Sequence, residues 1–239
     1  MAYQDMSSNW AYKTPVLAAD FNQLGENDNI LLLNTGKLNY FGNYNTTQNM
    51  NGGLKGIYPI LYFDNFTNNH TITGNCIFKV KGTFTNNGII TASGFGTIGT
   101  GTSSSDPCFG GGRGGLNGIG AGIIPGLLNN FNVLGGSGGI GWDPYSTGGN
   151  GGGIIIIHCD IFINNSTKSI VADGLNGGGI YGSGGGGGIV QIFYKTSFTN
   201  KGTISAKGGL AGGEEPYCYP GNNGIAQSIN LNTMAVTNL

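Results

Sequence analysis

Apolar and polar residues alternate along much of the chain, and the clearest stretch is "GNCIFKVKGTFTNNGIITASG", residues 74–94. Apolar side chains occupy alternate positions on both sides of an Asn-Asn-Gly turn. These positions are Cys76, Phe78, Val80, Phe84, Ile90 and Ala92. Successive side chains of a β-strand point to opposite faces, so a period of two places the apolar residues on one face. The stretch therefore predicts β-strands joined by a turn.

The same pattern occurs three times. "GIVQIFYKTSFTNKGTISAKG", residues 188–208, aligns with residues 74–94 without a gap, and "GIIIIHCDIFINNSTKSIVADG", residues 153–174, aligns with two inserted residues. Phe84, Phe162 and Phe198 are equivalent in this alignment, as are the asparagines two residues after them. Three copies of one unit predict a repeated β structure.

In the middle unit the phase opposite to Phe162 is also apolar, through Ile155, Ile157, Cys159, Ile161 and Ile163. A strand that is apolar on both faces is typical of the interior of a fold. We therefore expect this strand to lie at its centre.

Glycine accounts for 49 of 239 residues, about three times the usual share, and most of it lies in tracts between and beside the units. The tracts are residues 110–122, 135–141, 148–153, 174–188 and 208–213. They lack the strict period of three and the proline of collagen. Disorder is the alternative, but 38% of the chain is hydrophobic and can form a core. An ordered glycine tract must satisfy its peptide groups laterally, so we predict extended polyglycine II-like segments packed side by side.

These patterns predict an all-β fold, either a glycine-rich β-helix or a β-sandwich, with packed polyglycine II-like segments. Residues 36–239 would form this glycine-rich β domain. Residues 1–35 would form a separate N-terminal segment with a short helix from about Leu17, in which Phe21 and Leu24 share one face.

Composition and charge narrow the functional classes. A net charge of -1 gives no electrostatic reason to expect nucleic-acid binding, and no apolar run is long enough for a membrane helix. The start of the chain lacks the features of a signal peptide, so we expect the four cysteines to be reduced. Neither a zinc-type Cys/His spacing nor a nucleotide-binding loop is present, and we expect no metal and no cofactor.

The inserts that interrupt the glycine tracts carry aromatic residues at turn-rich positions, which suits contact with a protein or sugar surface. The candidate binding residues are Phe109, Trp142, Tyr145, Tyr181, Tyr217 and Tyr219. The alternative is that these rings simply cover the glycine tracts. Among the acidic residues, Asp160 is the one that a strand could bury, and the carboxylates do not form a pair suited to hydrolysis. We therefore do not expect an enzyme.

Glycine tracts from 110 to 213, separated by short variable inserts, resemble the tip adhesins of bacteriophage tail fibres. The phrase "TPVLAADFNQLGENDN" near the N-terminus is similar to the opening of many phage fibre proteins. The resemblance implies that residues 1–35 are a particle-attachment segment, in which Trp10, Phe21 and Leu24 make the attachment, and that a rigid tip has loops that contact a host receptor. It also implies a homotrimer on the virion surface, made in the host cytoplasm and bound to other virion proteins. A purely structural virion component is the alternative function, and a surface-polysaccharide depolymerase is the third.

Overall fold

The computed structural model of the protein describes residues 39–54, 59–96, 98, 146–213 and 218–239. The regular secondary structure within these ranges is entirely β, as the sequence predicted. The helix expected from about Leu17 lies outside the described residues. The strands are β1 (Asn39–Tyr40), β2 (Asn43–Asn45), β3 (Met50–Asn51), β4 (Ile60–Phe63), β5 (Asn65–Asn68), β6 (Thr71–Thr73), β7 (Cys76–Val80), β8 (Thr83–Asn86), β9 (Ile89–Thr91), β10 (Ile154–Asn164), β11 (Ser169–Val171), β12 (Ile189–Asn200), β13 (Thr203–Ser205), β14 (Ile225–Asn230) and β15 (Val236–Asn238).

The strands form two sheets, and successive passes of the chain pair in parallel. The larger sheet has ten strands, in the order β1-β4-β7-β10-β12-β14-β15, with β2, β5 and β8 extending it beside the second half of β10. The smaller sheet has the order β13-β11-β9-β6-β3. Every pairing between these strands is parallel except the one between β14 and the terminal β15, which is antiparallel.

We call each pass of the chain a layer. Layers 1 to 3 each contribute three short strands: β1 to β3, β4 to β6, and β7 to β9. Layer 4 comprises β10 and β11, layer 5 comprises β12 and β13, and layer 6 contributes β14 alone. β10 pairs with both β7 and β8 on one side and with β12 on the other, so it lies in the middle of the larger sheet.

Aromatic side chains stack in a column through the layers, because the parallel register places equivalent residues above one another. Phe66, Phe84 and Phe162 are fully buried, and Phe198 continues the column as a partly buried ring packed against them. The ring centroids of Phe84 and Phe162 are 5.7 Å apart, and those of Phe162 and Phe198 are 5.0 Å apart. Burying rings of this size supplies a large share of the hydrophobic stabilisation.

Asparagine side chains form a second column beside the aromatic one. Asn68 donates from Nδ2 to Oδ1 of Asn86 (2.8 Å), Asn86 donates in the same way to Asn164 (2.9 Å), and Asn164 donates to Asn200 (2.8 Å). The first three are completely buried. A buried amide is costly unless it is hydrogen-bonded, so each of these side chains depends on the layers above and below it.

A β-bulge between Cys159 and Ile161 changes the expected assignment of faces in β10. The sequence predicted that Ile155, Ile157 and Cys159 would form a second buried face opposite to Phe162. Ile155 instead aligns with Cys76 on the buried face. At the register shift β10 takes one residue fewer than β12 or the β7–β8 pair, and this brings Phe162 onto that same face. Such a register shift interrupts the alternation, so the period of the first half of β10 does not predict the faces of its second half.

Layers differ in length at one corner, where the chain returns from the smaller sheet to the larger. This corner takes only Gly74 and Asn75 between β6 and β7, but it takes residues 92–153 between β9 and β10. Gly74 has a φ of +117°, and an added Cβ would lie within 3.0 Å of the backbone of Gly52, so the tight version of the corner needs glycine. The glycine tracts occupy the same corner in the later layers.

Candidate functional site

Five extended segments at this corner form what we call the glycine layer. Three of them, residues 146–153, 182–188 and 218–224, lead into β10, β12 and β14. The other two, residues 172–178 and 206–213, follow β11 and β13. Since the strands of each group are neighbours in a parallel sheet, their glycine segments lie side by side as well.

Segment 182–188 lies at the centre of the glycine layer and is buried throughout. Its amides donate alternately to two neighbours: Gly185 to the Leu175 carbonyl (2.9 Å) and Gly184 to the Tyr219 carbonyl (2.9 Å). Each bond recurs three residues later, from Gly188 to Ala172 (2.7 Å) and from Gly187 to Asn222 (2.8 Å). A period of three is that of an extended left-handed helix without internal hydrogen bonds.

The carbonyl groups of the same segment accept bonds from two further neighbours. Gly149 and Gly152 of segment 146–153 donate to Ser183 (2.9 Å) and Gly186 (2.8 Å). Gly209 and Gly212 of segment 206–213 donate to Gly185 and Gly182, both at 2.8 Å. The backbone of segment 182–188 is therefore hydrogen-bonded to the backbone of all four neighbouring segments. The sequence predicted such lateral bonding for the glycine tracts within the described ranges. The tracts at 110–122 and 135–141 lie outside those ranges.

Steric contacts explain why these positions are glycine. A Cβ at Gly185 would lie within 3.0 Å of the Asn150 carbonyl, and one at Gly221 would lie within 3.0 Å of the Gly185 carbonyl. The obstructing atoms belong to neighbouring backbone, which cannot rotate away as a side chain can. The close spacing of the segments, and hence their hydrogen bonds, requires the absence of side chains.

Residues 180–181 and 218–219 meet at the end of the glycine layer that lies away from the sheets. We use the name tip surface for the described residues there: Ser146, Ile180, Tyr181, Cys218 and Tyr219. The Cys218 thiol donates to the Ile180 carbonyl (3.7 Å). The Tyr181 amide donates to the Ser146 hydroxyl, and the Tyr219 amide donates to the Ser183 hydroxyl, both at 3.2 Å. Ser146 and Ser183 are buried, so they tie the backbone of both tips to the interior of the layer.

Side chains at the tip surface differ in exposure. Ile180 is 63% exposed, whereas Tyr181 and Tyr219 are half-buried. A half-buried tyrosine has one part of its ring fixed by neighbours and another part available to a ligand. The surface therefore offers two tyrosines and one aliphatic side chain on a backbone that is hydrogen-bonded to the glycine layer.

Tyr181 and Tyr219 are the predicted binding residues that the structure describes, and both belong to the tip surface. The other predicted site residues lie outside the described ranges: Phe109, Trp142, Tyr145, Tyr217, Trp10, Phe21 and Leu24. A signal in the sequence was missed, since Tyr145, Tyr181 and Tyr217 recur at intervals of 36 residues. Each of them immediately precedes one of the three segments that lead into the larger sheet. Ile180 was also missed, because a single aliphatic residue between Gly179 and Tyr181 carries no pattern.

Acidic side chains in the described residues take part in local contacts. Asp64 pairs with Lys81 (3.0 Å) and Asp160 pairs with Lys195 (3.4 Å). Asp173 accepts hydrogen bonds from the Ser205 hydroxyl (2.8 Å). The expectation that Asp160 could be buried is wrong: its side chain is 42% exposed, because β10 turns it outward just before the bulge. Each of these three carboxylates contacts a different partner.

His158 and Cys159 occupy opposite faces of β10. His158 stacks on Phe193 on the outer face, with ring centroids 4.4 Å apart, and burial together with the charge of Lys79 lowers its pKa to about 4. Cys159 is buried on the inner face, where burial and then the charge of Asp160 raise its pKa to about 12. Cys76 is also a buried free thiol, so the predicted core role of both cysteines is confirmed.

Neither family models nor curated proteins nor solved structures gave a significant match to this chain. Within the described ranges, no group of three or more histidine, cysteine or acidic side chains is placed to hold a metal ion. The same part of the chain has no helix of the length and hydrophobicity needed to cross a membrane.

Proposed function

We propose that the stacked layers form a parallel β-helix and that the glycine layer is a polyglycine II-like bundle growing from one of its corners. In-register parallel pairing through successive layers supports the first part. The lateral hydrogen bonds with a period of three support the second. On this proposal the β-helix is the base of the molecule and the glycine layer is a stiff extension of it.

We further propose that the protein is a virion surface protein at the tip of a bacteriophage fibre and that the tip surface binds a receptor on the host cell. The observation that carries this proposal is the position of Tyr181 and Tyr219, which the hydrogen bonds of the glycine layer hold beside each other at its far end. Tyrosine provides a large contact area at a low cost in side-chain entropy.

The stiffness of the support has an energetic role in this proposal. A loop that is already fixed before binding loses little conformational entropy when the complex forms, so more of the contact energy is retained as affinity. Ordinary loops of glycine would lose about 1–2 kcal/mol per residue on becoming fixed. The buried segment 182–188 already lost this conformational entropy when the protein folded, and its hydrogen bonds compensate for the loss.

The proposed partners are a protein or glycan on the host surface, other virion proteins and two further copies of the chain in a homotrimer. Synthesis would take place in the host cytoplasm, with assembly onto the particle at the attachment segment. No enzymatic activity is part of this proposal, because the described acidic residues are engaged separately from one another.

Adsorption of virus particles to host cells tests the proposal. Particles carrying both Tyr181→Ala and Tyr219→Ala should assemble normally but lose most of their adsorption. Tyr62→Ala is the matched control, because Tyr62 lies on β4, in the second layer of the larger sheet. It should leave adsorption unchanged.

The rival functions predict different results. Normal adsorption by the double variant, together with failed assembly of particles that lack the protein, would favour a purely structural component. Release of reducing sugars from the host capsule by the purified protein would instead favour a depolymerase. Either result would overturn the receptor-binding proposal.

A further inference from the structure

The stack of layers ends unevenly. Layer 6 contributes β14, which pairs with Ile189–Tyr194, the first half of β12. The chain then turns back at residues 231–235 and forms β15, which pairs antiparallel with β14. Among the described strands, none pairs with the outer edge of residues 196–200 or with that of β13. We call residues 196–205 the open end.

The asparagine column has a direction, and it points toward the open end. In Asn86, Oδ1 accepts from Nδ2 of Asn68 below it (2.8 Å) and from the amide of Gly88 (3.2 Å), whereas Nδ2 donates to Asn164 above it. The bond from the backbone amide fixes which atom is the oxygen, because a backbone N–H can only donate.

Asn200 is the last member of this column. Its Oδ1 accepts from Asn164 (2.8 Å) and from the amide of Gly202 (3.2 Å), as in the layers below. Its Nδ2 has no acceptor among the described residues, and the residue is exposed. The column therefore ends in a hydrogen-bond donor that faces the missing layer.

The apolar columns stop at the same level. Phe198 stacks on Phe162 below it, and Ile204 aligns with Ile170. A cavity of about 340 Å³ adjoins Ile204, and its lining combines apolar residues such as Ile225 and Leu239 with polar ones such as Lys207 and Asn238. The next strand of the smaller sheet would cover this cavity, and the described chain does not supply that strand.

We propose that the open end is a strand-addition site for an extended segment of a different polypeptide. The aromatic, asparagine and aliphatic columns define which residues this segment needs. It should contain an aromatic residue, then any residue, then Asn or another hydrogen-bond acceptor, and after a turn an aliphatic residue. Main-chain hydrogen bonds to an exposed strand edge supply affinity in such complexes, and alternate side chains supply specificity.

The charge around the open end defines the partner further. Lys201 and Lys207 are exposed and form no ion pair within the described ranges. Two open ends facing each other would bring these lysines together, which argues against a second copy as the occupant. Acidic residues beside the aromatic and aliphatic positions would complement them.

A labelled synthetic peptide provides the test. It has the sequence of residues 83–91, "TFTNNGIIT", which forms β8 and β9 of layer 3 inside the protein. One glutamate is added at each end. Fluorescence anisotropy should show saturable binding to the full chain, and hydrogen exchange at residues 196–205 should slow. A peptide with serine in place of its phenylalanine and its first asparagine should not bind.

Asn200→Asp is the decisive variant of the protein. It keeps the acceptor for Asn164 and Gly202 but removes the donor, so peptide affinity should fall about tenfold, which corresponds to the loss of one net hydrogen bond. Asn43→Asp is the matched control on β2, at the opposite end of the stack, where Asn43 accepts from Asn65 (2.7 Å), and it should bind as the parent does. An unchanged melting temperature would show that Asn200→Asp still folds.

Several results would overturn the proposal. The first is an absence of peptide binding by the parent chain, and the second is equal affinity of the parent and Asn200→Asp. The third is slow exchange, before peptide is added, of the amides on the outer edge of residues 196–205, which have no partner in β10 or β11, either in the monomer or in a concentration-dependent dimer. In that case the chain's own segment or a second copy already fills the open end.

Discussion

Replacing Gly185 with alanine addresses the feature on which the proposed function depends most, the close packing of the glycine layer. Gly185 lies in the central buried segment, donates to Leu175 (2.9 Å) and accepts from Gly209 (2.8 Å). The added Cβ would meet the Asn150 carbonyl within 3.0 Å, so the segments would have to move apart by on the order of 1 Å.

Such a movement would lengthen both hydrogen bonds of Gly185 beyond the usual range of about 3.2 Å. Each buried polar group that loses its partner costs about 1–3 kcal/mol. The lower backbone entropy of alanine in the unfolded chain offsets up to about 1 kcal/mol of this destabilisation. We therefore expect Gly185→Ala to lower the free energy of unfolding by roughly 2–5 kcal/mol.

Gly178→Ala is the control, because it makes the same chemical change in a neighbouring segment. The Cβ at Gly178 would meet the Thr147 hydroxyl at 2.6 Å, and the next atom lies at 3.7 Å. Thr147 is exposed and its hydroxyl can rotate away, so this variant should be within about 1 kcal/mol of the parent.

Chemical denaturation would measure both free energies of unfolding, and hydrogen exchange would report on residues 182–188 directly. Amides of this segment should exchange slowly in the parent and in Gly178→Ala, and faster in Gly185→Ala. Equal stability and equal exchange in the two variants would refute the reasoning. The glycine segments would then be connectors that tolerate side chains, and the tip surface would lack a stiff support.

Three further predictions concern the β layers. Asn86→Leu should lower the free energy of unfolding by about 3 kcal/mol in chemical denaturation, because it leaves buried amide groups of two neighbouring layers without partners; stability equal to that of the parent would contradict the role of the column. Burial and the nearby Lys79 lower the pKa of His158 below its unfolded value of about 6.5, so the unfolded chain takes up a proton first as the pH falls. The contribution of His158 to stability should therefore be lost between about pH 6.5 and pH 4, and His158→Phe should reduce this pH dependence in thermal melts. Finally, Cys76 and Cys159 should react with a thiol reagent only in denaturant, because burial raises the pKa of both thiols and excludes the reagent; rapid reaction in the native protein would show that the core opens.

The sequence by itself determined the local chemistry of the fold. Alternation around Phe84 predicted strands, and the alignment with Phe162 and Phe198 identified residues that the structure stacks in one column. Glycine tracts without side chains predicted lateral main-chain bonding, since a buried peptide group has no other partner. These inferences succeed because side-chain direction in a strand and the hydrogen-bonding capacity of the backbone are properties of each residue and its immediate neighbours.

Only the tertiary structure decided how these elements combine. The bulge after Cys159 changed the expected faces of β10, and the early return of the chain after β14 left the open end at Asn200 without a pairing strand among the described residues. Tyr181 and Tyr219 are 38 residues apart in the chain, yet both lie at the tip surface, because their glycine segments pack against each other. Such features depend on which segments become neighbours after folding, and that is set by the packing of the whole chain rather than by any local pattern.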